Sequence, residues 1–144
     1  MDSLPPSISP QRPNFTGVWQ LVPSESDWGF LPPAQVRIDT IDHEGPQLRI
    51  RTRQKDANGD LTVDRNLMIG EPAVQIMILG RARWIRAFWE EAELVVETLS
   101  EVSGGARRIE DRWTLDPNGE WLTIRRYHDL PGGAVRQRLR LQRH

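Results

Sequence analysis

From Phe15 onward, turn-forming residues cut the chain into short segments rich in Val, Ile, Leu, Thr and Trp, at intervals of roughly 8–12 residues, and that rhythm allows few architectures. The separators include His43-Glu44-Gly45-Pro46, Asn58-Gly59, Gly70-Glu71-Pro72, Ser103-Gly104-Gly105, Asp116-Pro117-Asn118-Gly119 and Pro131-Gly132-Gly133. Each supplies a residue that tolerates positive φ or presets φ. The pattern predicts ten strands, near 15–21, 35–41, 47–54, 60–69, 73–79, 82–89, 93–99, 107–115, 120–128 and 134–142. Two of them alternate cleanly: Leu48, Ile50 and Thr52 against Arg49, Arg51 and Arg53, and Val135, Gln137, Leu139 and Leu141 against Arg136, Arg138 and Arg140. These strands have one dry face and one wet face. Only Pro23 to Pro33 breaks the rhythm, where Ser24-Glu25-Ser26-Asp27-Trp28 can start one helical turn before Leu31-Pro32-Pro33 stops it. It reads as a short flap with Trp28 as a candidate lid. Consecutive strands with tight turns and no helical layer must hide an apolar face on themselves, as two packed sheets or as a barrel, and the barrel removes the exposed edges. The expected fold is all-β, an antiparallel up-and-down β-barrel of about ten strands with a short flap after the first strand. It occupies residues 15–144 as one domain, a length sufficient for a real core.

Met1 to Asn14 carries Pro5, Pro6, Pro10 and Pro13 and no apolar run behind a basic start, so it reads as a flexible arm and not as a signal peptide. No run approaches the length of a membrane-spanning helix; the longest, Val74 to Leu79, is interrupted by Gln75. The absence of a leader favours the cytoplasm, or a secreted or periplasmic location if a leader has been removed, for what looks like a bacterial-type small domain. With no cysteine and only His43, His128 and His144, thiolate chemistry is excluded and a dedicated metal centre is not expected. His43 and His144 read as solvent-exposed. Lys+Arg 19 against Asp+Glu 20 gives a net charge of −1, which argues against nucleic-acid and anionic-membrane surfaces. Eighteen of the basic residues are Arg, alternating with apolar residues as on a solvated outer face. There is no Gly-rich phosphate loop and no Gly-x-Ser-x-Gly, so no cofactor is expected. Nothing in the sequence sets the oligomeric state.

The strongest local signal is Asn14-Phe15-Thr16-Gly17-Val18-Trp19-Gln20-Leu21. It resembles the Phe-x-Gly-x-Trp-x-Leu opening of the calycins, the superfamily of lipocalins and fatty-acid-binding proteins. Gly17 permits a sharp bend or a close neighbour, and Trp19, on the side of Phe15 and Leu21, is placed to plug the barrel floor. The resemblance implies that a late arginine covers this tryptophan, with Arg138 or Arg140 in position to do so. Trp89-Glu90-Glu91-Ala92-Glu93-Leu94-Val95-Val96-Glu97 is similar to the Trp-turn-Leu-Val-x-Glu hairpins of the fatty-acid-binding branch. Arg125-Arg126-Tyr127 contains that branch's Arg-x-Tyr carboxylate spacing, although on the ninth strand and with an outward parity. The flap is shorter than the family's two-helix lid.

If the more apolar parity of each strand faces inward, the polar residues that share it line a cavity, because a sealed core would not keep them. These are Thr40, Thr52, Arg65, Thr98, Asp111, Arg126, His128 and Gln137, among Val36, Leu48, Val63, Ile76, Ile85, Trp89, Val96, Trp113, Ile124 and Leu139. A two-residue turn at Asn118-Gly119 sets Asp111 opposite Arg126 and Trp113 opposite Ile124, whereas a three-residue turn sets Asp111 opposite Arg125. The first keeps Leu122 and Ile124 with Trp113 and Leu115, and is preferred. The leading expectation is a barrel that holds a small apolar or amphipathic molecule, contacted by Thr52, Arg65, Trp89, Thr98, Asp111, Trp113, Arg126 and Gln137. Two alternatives stand beside it. One is a cofactor-free enzyme of proton transfer (isomerase, hydratase or cyclase) with Asp111 as base, Arg126 stabilising an oxyanion and His128 nearby. The other is a structural or partner-binding domain without a cavity.

Overall fold

The computed structural model describes residues 12–102 and 105–144. The alternating segments form ten strands: β1 Gly17–Leu21, β2 Val36–Glu44, β3 Gln47–Asp56, β4 Gly59–Met68, β5 Val74–Ile78, β6 Arg81–Glu90, β7 Glu93–Val102, β8 Gly105–Leu115, β9 Trp121–Leu130 and β10 Gly133–Arg143. All pairings are antiparallel, in the order β4-β3-β2-β1-β10-β9-β8-β7-β6-β5, so the sheet curls until its two edges, β4 and β5, meet without pairing. The expected up-and-down barrel of ten strands is therefore present, closed except for one seam. At one end the seam is stitched by the bond from Gly70 N–H, just beyond β4, to the Ala87 carbonyl of β6 at 2.8 Å. Among the described residues no helix is long and apolar enough to cross a membrane.

The core concentrates at the stitched end. Phe15, Trp19, Leu48, Leu94, Trp113, Leu122, Ile124, Leu139 and Leu141 are fully buried there and along the inner faces. Phe15 lies edge-on to Trp113 with centroids 5.4 Å apart and stacks near Trp89 at 6.2 Å, an arrangement aromatic quadrupoles favour. Trp19 donates its indole N–H to the Phe15 carbonyl at 2.9 Å, so its only polar atom is satisfied.

The arginine over Trp19 is Arg143, not Arg138 or Arg140. Its guanidinium sits 4.2 Å from the ring centroid and donates to the Gly119 carbonyl at 3.0 Å and the Thr16 carbonyl at 2.9 Å. Arg138 and Arg140 have outward parity; Arg140 stacks on Trp121 at 4.6 Å instead. Gly17 makes room for this cover. Its φ is +152°, and a Cβ there would lie 2.5 Å from Arg143 Nη1. Gly17→Ala should displace Arg143 and strain the backbone, at about 1–3 kcal/mol, read as a fall in Tm; an unchanged Tm would mean that the cover contributes nothing.

β1 is short and pairs with β10 only over Leu141–Arg143. The flap takes the place a longer first strand would fill. After a 3-10 turn at Pro23–Glu25, Asp27 and Arg138 exchange two backbone bonds of 2.8 Å, and Arg140 N–H donates to Ser26 Oγ at 3.0 Å. Trp28 is thus not a free lid: it packs half-buried against the core, and its carbonyl accepts from Gln137 Nε2 at 3.0 Å.

Of the arm expected over 1–14, residues 1–11 lie outside the described residues. Asn14 bonds the His43 carbonyl at 3.0 Å and accepts from Thr16 N–H at 2.8 Å, and the Arg12 guanidinium lies 5.3 Å from the Trp89 ring.

Candidate functional site

Above the aromatic floor the lumen opens into a cavity of about 250 Å³ that reaches the seam. β3 and β4 supply Thr52, Val63 and Arg65, β2 supplies Arg37, β5 and β6 supply Ile76 and Arg83, and β7 to β9 supply Thr98, Asp111 and Arg126. At the rim, Leu79 and Gly80 form the tight turn between β5 and β6, both at positive φ, with Leu79 at 51° and largely exposed. A bulky residue rarely adopts this conformation.

The register between β8 and β9 pairs Asp111 with Arg126 and Trp113 with Ile124, as preferred from the sequence. The turn reaches it differently. Asp116 N–H donates to the Trp121 carbonyl at 3.0 Å and Gly119 N–H to the Asp116 carbonyl at 2.8 Å, with positive φ at Gly119 and not at Asn118. A four-residue connection centred on Asn118-Gly119 gives the same cross-strand partners as the two-residue turn, so the pairing holds although the turn type does not. Arg126 grips Asp111 through Nε–Oδ1 at 2.8 Å and Nη2–Oδ2 at 3.0 Å. Burial alone would raise the Asp111 pKa, but the charge and hydrogen bonds of Arg126, with Arg37 and Arg65 nearby, outweigh it and hold the carboxyl below its usual range. A carboxylate stabilised in this way is a weak base, which counts against its expected role in proton transfer.

The face of β2 differs from the sequence expectation. Arg37, Asp39, Ile41 and His43 point inward and Val36 and Thr40 outward, because Arg37 and Asp39 neutralise one another inside the barrel at 3.0 Å. His43 is consequently buried and not solvent-exposed: Phe15 N–H donates to its Nδ1 at 3.2 Å and its ring stacks 5.9 Å from Phe15.

Of the residues expected to meet a ligand, Thr52, Arg65, Thr98, Asp111 and Arg126 converge on the cavity. Trp89 and Trp113 belong to the floor, packed on Phe15. Gln137 is held by the flap. His128 is half-buried beside the arginines. The sequence reading omitted Arg37 and Arg83, and also Arg107, which shares the inward parity of Asp111. Extending the alternation to the strand ends would have found the last two. Arg65 is 9% exposed and donates to Thr52 Oγ1 at 2.9 Å. Burial, partly offset by Asp39 and aggravated by Arg37, lowers its pKa to about 10, so it stays charged at neutral pH. Among the described residues no group of three or more His, Asp or Glu side chains is placed to hold a metal ion.

The imidazoles of His43 and His128 are pushed below their ordinary value near 6.5. Burial does this at His43, opposed by a backbone bond at Gly45; at His128 burial acts first and the charges of Arg126, Arg107 and Arg83 add to it, against Asp111. The unfolded chain therefore takes up these protons at higher pH than the folded one. Stability should be full above about pH 6.5 and decline as the pH falls below it, so Tm at pH 5 should be lower than at pH 7.5. A flat profile would show ordinary imidazoles.

A ten-stranded antiparallel barrel floored by tryptophan and arginine, with an interior cavity reached at an unpaired seam, is the calycin fold. No family model matches the chain, and no curated protein matches it. Solved structures do. A secretory abundant heat soluble protein of Ramazzottius varieornatus is similar with a TM-score of 0.71 at 13% identity, over 94% of this chain and 99% of that one. Lipid binding protein 8 of Caenorhabditis elegans, in its apo form, gives 0.63 at 12% identity over 90% and 95%. The zebrafish ileal bile acid-binding protein, complexed with cholic acid, gives 0.62 at 11% identity over 90% and 98%.

Proposed function

We propose that this protein binds a small amphipathic molecule in its lumen, the apolar part against Val63, Ile76 and Ile109 and the polar end among the arginines. The observation that carries the reading is the cavity itself, which combines apolar walls with buried guanidinium donors left without acceptors, at Arg65 Nε and Arg83 Nε. A core built only for stability does not keep such groups. Similarity in fold to proteins named for binding lipid and bile acid supports it. At about 250 Å³ the space lies just under the roughly 300–1,000 Å³ of ordinary small-molecule pockets, which fits a slender ligand extending through the seam.

The reading is tested with an environment-sensitive dye displaced by medium-chain amphiphiles. Thr98→Phe, which fills the cavity from its wall, should weaken dye binding at least ten-fold while Tm changes by only a few degrees. Equal dye binding by the filled variant would place the dye outside the barrel and remove this support.

A further inference from the structure

The barrel treats its arginines in two ways. On the outer face of β6 to β9, Arg86, Arg108, Arg112 and Arg125 are matched by Glu97, Glu110, Glu90 and Glu93 in a continuous network of ion pairs. On the inner face, Arg37 is matched by Asp39 and Arg126 by Asp111, but Arg65, Arg83 and Arg107 have no carboxylate partner among the described residues. Each of these three has its Nε buried without an acceptor. A chain of net charge −1 thus carries an unbalanced positive interior.

Two of the three stand together. The register pairs Arg83 with Ser100 and Ser100 with Arg107, so three neighbouring strands present guanidinium, hydroxyl and guanidinium side by side, all with inward parity. Directly opposed residues on adjacent strands lie about 5 Å apart, which lets two long arginines converge over the serine between them. His128 stands one row further in, paired with Ile109. We propose that this row, Arg83–Ser100–Arg107, is an anion site for a phosphate monoester group. Two guanidinium forks balance the double charge of such a group, and its three terminal oxygens can accept from both forks and from the hydroxyl at once; a carboxylate brings one charge and two oxygens. The proposal rests on the ligand-binding reading where the phosphate is the head of an amphiphile, and stands without it where the phosphate is free or on a soluble ester.

The groups facing His128 are Arg126 on its own strand, Arg107 and Asp111 on β8 and Arg83 on β6. A dianion held between Arg83 and Arg107 cancels the charges that now disfavour the imidazolium, so His128 should titrate at higher pH when the site is filled. That shift is a readout that a purely structural arginine would not produce.

The experiment compares octyl phosphate, octanoate, octanol and inorganic phosphate on the full chain at pH 7.5, by dye displacement and by NMR titration of His128. Octyl phosphate should bind at least ten-fold more tightly than octanoate and raise the His128 pKa. In Arg83→Gln/Arg107→Gln both effects should vanish, and the loss of affinity for octyl phosphate should exceed any loss for octanol at least ten-fold. Ser100→Ala, a milder change that should not disturb folding, should lose several-fold in phosphate affinity alone. The proposal is overturned if octyl phosphate shows no preference over octanoate, or if the preference survives in the double variant. Should no octyl compound bind while inorganic phosphate still moves His128 in the parent and not in the double variant, the anion site stands and the lumen reading falls. Should octanol bind while neither phosphate does, the lumen reading stands and the anion site falls.

Discussion

Trp19→Ala is expected to cost about 3–5 kcal/mol of folding stability, which for a domain of this size lowers Tm by roughly 10–15 °C. The side chain is fully buried, so its removal leaves a void in a floor that Phe15 and Trp113 cannot fill without breaking their own edge-on contact. Two further losses follow. The Phe15 carbonyl loses the indole N–H at 2.9 Å, and Arg143 loses the ring it covers. Trp19→Phe, which keeps most of the volume and the aromatic face, should recover more than half of the loss. Because Trp19 lies below the cavity and lines none of it, dye affinity measured well below Tm should be unchanged in both variants. Thermal denaturation and dye titration of the same samples make the check: a Trp19→Ala protein as stable as the parent would remove Trp19 from the floor, and one that is stable but binds no dye would move it into the site.

The strands were legible in the sequence because alternation and turn chemistry are local, and both survive folding unchanged. Register was legible at Asp111–Arg126 for a less secure reason. Any connection centred between Asn118 and Gly119 gives the same partners, so an error in the turn type did no harm to the pairing. What failed was the rule that the more apolar parity points inward. On β2 the rule favours Val36, Ile38 and Thr40, but the barrel buries Arg37 and Asp39, whose charges cancel only because the fold closes around both. Composition cannot show which charges will meet a partner. His43 departs from the expected exposure for the same reason: its place beside Phe15 and Trp89 depends on a contact across 28 residues of sequence. The candidate site was therefore legible where a polar residue interrupts an apolar face, as at Thr52, Arg65 and Thr98. It was hidden where the strand's inner face is itself charged, as at Arg37, or where the alternation was not followed to the strand end, as at Arg83.

The Asp111–Arg126 pair should behave as a buried pair, with an asymmetry set by its neighbours. Asp111 is 3% exposed and both of its oxygens are gripped by Arg126. Asp111→Asn removes one of the two carboxylates that balance Arg37, Arg65 and Arg126, and should cost about 3–5 kcal/mol. Arg126→Met leaves Asp111 close to Arg37 and Arg65, which already act on its charge, so its cost should be smaller, about 2–3 kcal/mol, below the range for a carboxylate stranded alone. The double variant should recover part of the loss, with a coupling above about 1 kcal/mol in a denaturant cycle. Acid unfolding adds an independent reading. A carboxyl held below its usual range contributes stability that is full above the unfolded value near 3.9 and is lost as the pH falls through the folded value. Arg126→Met should therefore unfold at higher pH than the parent, beyond what its lower stability at neutral pH accounts for. Equal costs for the two single variants would mean that Arg37 and Arg65 do not reach Asp111, and a coupling near zero would mean that the pair faces solvent and that the interior charge imbalance, on which the anion site depends, has been placed on the wrong side of the sheet.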